Sequence, residues 1–133
     1  MEQRIGLIAL VVEDYDHAIA FFIGKLHFSL IEDTKLSENK RWVIVRPPGS
    51  GNCSLLLAKA SSAEQFSRVG NQTGGRVFLF LYTDDIDRDY KNLVDQGIQI
   101  IREPSKEAFG MVAVFADIYG NLWDLIEPKN GRP

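Results

Sequence analysis

Few residues in this chain could do chemistry, and their spacing ranks them. Asp124 lies in the stretch 110–128, GMVAVFADIYGNLWDLIEP, which reads as a strand, a Gly-Asn turn and a second strand ending at a proline. Side chains alternate along a strand, so Leu122, Asp124 and Ile126 share one face and Trp123, Leu125 and Glu127 the other. A carboxylate among apolar neighbours is costly to bury unless it is paired or wet. Desolvation raises its pKa, which suits a general acid or base. Arg46, Tyr82 or a donor on a ligand could pair with it. The other reactive types are scattered. The single cysteine, Cys53, has no histidine at a marked spacing and reads as a small hydrophobe, with no disulfide available to it. His17 falls in a helix as a solvent-facing residue, and His27 follows that helix as a contact at its C-terminal end. Together they make no metal cluster. Gly-x-Ser-x-Gly, P-loop and dinucleotide fingerprints are missing, and GSGN at 49–52 is too short to cradle a phosphate.

The elements that must position Asp124 follow from the apolar pattern. Residues 5–12, IGLIALVV, predict a strand buried on both faces. Asp14 is a good N-cap, and Ile19, Phe22 and Leu26 keep helical spacing, so a helix is expected over about 15–25. Strands are expected over 28–33, 41–46 and 53–58, with a loop at 36–40 and a strong turn signal in PPGSGN at 47–52. Residues 60–75 are polar and small, with a helical turn over 62–68 and then a linker. The pattern restarts with a strand over 77–82 and a helix that begins at Asp84-Asp85 and stops at Gly97. A short strand over 98–101 and a loop over 102–109 lead into the final strand pair.

The two halves match each other. Asp14 aligns with Asp85, an offset of 71, and Gly51-Asn52 with Gly120-Asn121, an offset of 69. Each half is strand–helix–strand–strand–strand, a repeat of roughly 60 residues. The expected fold class is α+β: two βαβββ modules, most simply in one curved mixed sheet around a concave trough, with helices outside. Residues 1–133 then form a single domain with modules at about 1–60 and 76–128, joined by a linker at about 61–75.

These modules, with Val12-Glu13-Asp14 and Thr83-Asp84-Asp85 at the strand-to-helix turns and Gly120-Asn121-Leu122-Trp123-Asp124-Leu125 near the end, resemble the vicinal oxygen chelate superfamily. That group includes glyoxalase I, fosfomycin-resistance enzymes, extradiol dioxygenases and bleomycin-resistance proteins. In its metal-dependent members each module resembles a half-site, with a His or Gln from the first strand and a Glu or His from the last. Carried over, those ligand positions are Leu7, Leu55, Phe78 and Asp124, three of them apolar. A lone carboxylate does not hold a divalent ion with useful affinity, so no metal and no cofactor is expected. The resemblance also implies a homodimer.

If the ligand positions face inward, the trough is lined by Leu7, Ala9, Val11, Leu55 and Leu57 with Trp42, Ile44 and Arg46. The second half adds Phe78, Phe80, Tyr82, Met111, Ala113, Phe115, Leu122, Asp124 and Ile126. The candidate ligand-binding set is Trp42, Arg46, Phe78, Phe80, Tyr82, Phe115 and Asp124, with Asp124 the candidate catalytic residue. Such a lining suits an apolar or planar ligand oriented by a few hydrogen bonds. The charged stretch 101–110 could close over it, with Arg102 or Lys106 meeting an anion, or could simply be solvated. Three functions stay open: metal-independent binding of a small amphipathic or aromatic molecule, a glyoxalase-like lyase or isomerase centred on Asp124, and an interaction module with a plugged trough.

Composition narrows the partners. With 45% hydrophobic and 25% charged residues and a net charge of −3, the chain lacks the clustered Lys and Arg that nucleic acid requires. No apolar run approaches the ~20 residues of a membrane span, and the N-terminus has no basic, apolar leader pattern. A cytoplasmic location and a small-molecule partner are the expectation.

Overall fold

A computed structural model describes residues 1–49, 51 and 53–130. The expected turn residues Ser50 and Asn52, and with Asn52 the first Gly-Asn match, lie outside the described residues. The chain divides into two compact units whose boundary falls between Val69 and Gly70.

In the first unit the order is β1 (Leu7–Val12), α1 (Tyr15–Ile19), a π-helical turn (Ala20–Lys25), β2 (Ser29–Lys35), β3 (Arg41–Arg46), β4 (Ser54–Lys59) and α2 (Ala63–Arg68). The sheet order is β1-β4-β3-β2, with β1 and β4 parallel and the other neighbours antiparallel. Asp14 caps α1 by accepting the His17 N–H at 2.8 Å, which holds the Asp14 carboxyl below its usual pKa. The helix then widens: the Leu26 N–H reaches the Phe21 carbonyl five residues back, and His27 closes the turn at φ 61°. Phe22 is fully buried, its ring 5.2 Å from Phe21 and 5.7 Å from Phe28. Beneath them Leu10, Val12, Val43, Val45 and Leu57 are fully buried on one face of the sheet. The Arg41 guanidinium forks onto Asp33 (3.1 and 2.7 Å), reaches Asp16 at 2.9 Å and lies over the Tyr15 ring, tying α1 to the outer hairpin.

β1 is buried on one face only: Leu10 and Val12 are inside, whereas Leu7 and Ala9 are exposed. The β-branched run sits at a sheet edge, so its apolar content marks two faces that differ in exposure. β2 is exposed along its whole length, and its Glu32, Asp33 and Lys35 are the charges that suit an unpaired edge.

The second unit repeats the plan: β5 (Val77–Tyr82), α3 (Ile86–Asp95), β6 (Ile100–Glu107), β7 (Gly110–Ala116) and β8 (Leu122–Pro128), in sheet order β5-β8-β7-β6. The strands of the two modules thus hydrogen-bond as two four-stranded mixed sheets, one per module. Asp85 caps α3 through the Arg88 N–H at 3.1 Å, Glu127 of β8 accepts the Ile86 N–H at 2.9 Å, and Gly97 ends the helix at φ 69°.

The expected loop over 102–109 is mostly strand. β6 runs to Glu107, pairing with β7 through register shifts between Ile100 and Arg102 and between Arg102 and Ser105. Pro104 and four charged residues look wrong for a central strand, but β6 is an edge, where irregular pairing tolerates both. This segment is therefore hydrogen-bonded into the sheet, which corrects the idea of a lid.

The β7–β8 turn carries the second unit's buried polar centre. Asp117 Oδ1 accepts the backbone N–H groups of Tyr119 and Asn121, both at 3.0 Å. Its Oδ2 accepts Asn121 Nδ2 at 3.0 Å and Trp123 Nε1 at 3.1 Å. Every donor it meets is satisfied, so its role is architectural.

Candidate functional site

Strand register decides which side chains share a face with Asp124. Phe80 of β5, Asp124 of β8, Val114 of β7 and Arg102 of β6 stand in one row across the second sheet. The next row is Tyr82, Ile126, Val112 and Ser105. This face is open at β5, where Phe80 is 56% and Tyr82 46% exposed, and closes toward β7, where Val112 and Val114 are buried. Asp124 lies at the transition, half-buried. Among the described residues nothing hydrogen-bonds or ion-pairs with its carboxylate. Burial pushes its pKa up, and the Arg102 guanidinium pulls it down more weakly.

That direction makes a stability prediction. A carboxyl whose pKa is raised by folding holds its proton to higher pH in the native state than in the unfolded chain. Stability therefore falls as pH rises from the ordinary carboxylate value through the raised one. Asp124→Asn is expected to raise the melting temperature at pH 7 and to lose that advantage near pH 3, a comparison that thermal melts at the two pH values check.

The other expected lining residues divide by register. Leu7, Ala9 and Val11 of β1 share a face with Ser54, Leu56 and Ala58 of β4, and Ile44 of β3 faces Leu56. Trp42 and Arg46 lie on that side of β3, half-buried, and Arg46 Nε donates to Ser54 Oγ at 2.9 Å. The cation whose field reaches Asp124 within its own unit is Arg102. Leu55 and Leu57 point to the buried face, paired with Ile8 and Leu10. The first unit's row equivalent to Phe80–Asp124–Val114–Arg102 is Ala9–Leu56–Ile44–Glu32, so Leu56, and not Leu55, stands where Asp124 does. Counting from the Gly-Asn turns missed this because one residue of slip moves a side chain to the other face. Phe115 is a second correction. It is fully buried on the face opposite Asp124, stacked on Trp123 with centroids 5.7 Å apart, and Met111 and Ala113 share that side. Phe78 falls in the register shift between Val77 and Leu79 and is half-buried.

Sequence reasoning set Arg102 in a loop and missed its place in Asp124's row. The bulges on either side break the alternation that would have revealed it. Among the described residues no three His, Cys, Asp or Glu side chains gather as a metal-binding set. A surface depression of about 410 Å³ in the first unit is lined by Asp14, Asp33, Lys35, Glu38, Arg41 and Lys59 among others. Its charges largely bond one another, Arg41 to Asp33 and Lys35 to Glu38, so it reads as a solvated ion network.

Over residues 4–125 the sequence matches the Glyoxalase/Bleomycin resistance protein/Dioxygenase superfamily. The chain belongs to that superfamily. An uncharacterized protein of Shewanella frigidimarina (strain NCIMB 400) is 57% identical over 134 residues, spanning 100% of this chain and 99% of its own length. Among solved structures, UcmS2 is 27% identical with a TM-score of 0.83, covering 96% of this chain and 99% of its own. TnmS3, an antibiotic binding protein from Streptomyces sp. CB03234, is also 27% identical, with a TM-score of 0.77 and coverage of 96% and 98%. The superfamily's α+β architecture is the one described above. No helix among the described residues is long and apolar enough to cross a membrane.

Proposed function

We propose that this chain binds a small amphipathic or aromatic molecule on the Asp124 face, without a metal. The observation that carries this reading is a half-buried carboxylate with no protein partner among the described residues, in register with an exposed Phe80 and one row from an exposed Tyr82. Aromatic surface supplies binding energy and the single polar group supplies orientation. The likeness to TnmS3 supports the same reading. In its own row Asp124 stands with Phe80, Val114 and Arg102, so the row offers a single carboxylate, too few for a divalent ion. The reading includes a homodimer, as the superfamily resemblance implies, and light scattering on the purified protein tests it. A second reading, a lyase or isomerase using Asp124 as acid or base, is favoured by the raised pKa of that carboxyl.

A thermal-shift screen of planar aromatic compounds, run with metal analysis and a methylglyoxal–glutathione assay, separates these readings. Binding predicts stabilisation by some compounds, substoichiometric metal and no turnover. Phe80→Ala is expected to weaken the best binder roughly tenfold while changing stability by less than about 0.5 kcal/mol, because the ring is exposed. Turnover abolished by Asp124→Asn would favour the enzyme. A flat screen, with Phe80→Ala indistinguishable from wild type, would leave an interaction module.

A further inference from the structure

The geometry points to a cation as the ligand's polar group: a planar aromatic compound carrying a protonated nitrogen, with that nitrogen set on the Asp124 carboxylate. This rests on the binding reading above and names the ligand class for the same face. Three observations carry it. The carboxylate is partly desolvated and its acceptor sites are unused by the described residues, so a charged donor gains more there than in water. Phe80 is its direct neighbour on β5 and Tyr82 lies one row along, both with ring surface open, and a cation is the polar group that aromatic faces also attract. An anionic ligand would meet the carboxylate's repulsion beside those same rings.

Arg102 is the opposing charge, and its position limits its effect. Val114 lies between Arg102 and Asp124, so two strand spacings, on the order of 10 Å, separate their backbones. The Arg102 side chain is 53% exposed and its Nη2 lies 3.9 Å from Glu107 Oε1 on its own strand, where solvent screens it. A neutral aromatic donor would also stack on the rings but gains neither the charge-assisted bond nor the cation–ring attraction, so selectivity for positive charge is the discriminating property.

Fluorescence and calorimetric titration with three planar tricyclic probes tests this: proflavine (cationic), acridone (neutral) and anthraquinone-2-sulfonate (anionic). The wild-type protein is expected to bind proflavine at least tenfold more tightly than acridone, and the sulfonate most weakly. In Asp124→Asn the proflavine-to-acridone ratio is expected to fall to within about twofold of one, with thermal melts reporting that the variant is folded. In Arg102→Gln the ratio is expected to rise. Equal affinity for the three probes in the wild type, or a ratio unmoved by Asp124→Asn while Phe80→Ala weakens all probes, would overturn the cation preference and leave the binding face standing. No binding by any probe would remove the face itself.

Discussion

Asp117→Ala is expected to lower the free energy of unfolding by about 3–5 kcal/mol. Asp117 is 5% exposed, and the residues it holds, Asn121 and Trp123, are 3% and 2% exposed. Truncation removes the acceptor shared by the Tyr119 and Asn121 N–H groups, the Asn121 side-chain amide and the Trp123 indole, and all of these bonds but the one to Tyr119 are buried. The loss spreads through Asn121, whose side-chain oxygen accepts the Gln72 N–H and so links residues 70–75 to the turn. Asp117→Asn keeps the shape but turns one acceptor into a donor facing donors, so a cost of about 2 kcal/mol is expected. Urea unfolding of the two variants checks the order, and an alanine variant within about 1 kcal/mol of wild type would show that the turn is held by other contacts.

Gly110→Ala is expected to cost roughly 2–4 kcal/mol by a different route. Gly110 opens β7 at φ 150°, and a Cβ there would lie 2.2 Å from the Glu127 carbonyl oxygen and 3.0 Å from the Lys129 nitrogen. Both are backbone atoms of the chain end that pairs with it, so no side-chain rotation relieves the clash. The β7–β8 pairing has to open at this end, where Gly110 faces Pro128. Amide exchange should therefore quicken first at the Gly110–Pro128 end of the ladder, ahead of the Asp124 row. Uniform exchange with unchanged stability would mean that the backbone can move aside.

The duplication was legible because it is written in local signals. Asp14 and Asp85 each follow an apolar run and open a helix, and Gly97 and the Gly-Asn turn each demand a backbone that few other residues adopt. β3, β5, β7 and β8 fall where alternation and turn residues place them. The strand expected over 98–101 continues to Glu107, because edge pairing tolerates Pro104 and mixed charge, and nothing in the local pattern of 102–107 says that β7 will hydrogen-bond to it.

By itself the sequence determined the βαβββ repeat, the superfamily and the place of Asp124 on a strand between apolar Leu122 and Ile126. Those follow from residue types and from spacing within single elements. Only the tertiary structure decided which residues share the Asp124 face. Leu56 replaced Leu55, Phe115 turned inward onto Trp123, and Arg102 joined the Asp124 row. The physical reason is the two-residue period of a strand: face depends on register between strands distant in sequence, and a single bulge or one extra turn residue reverses it.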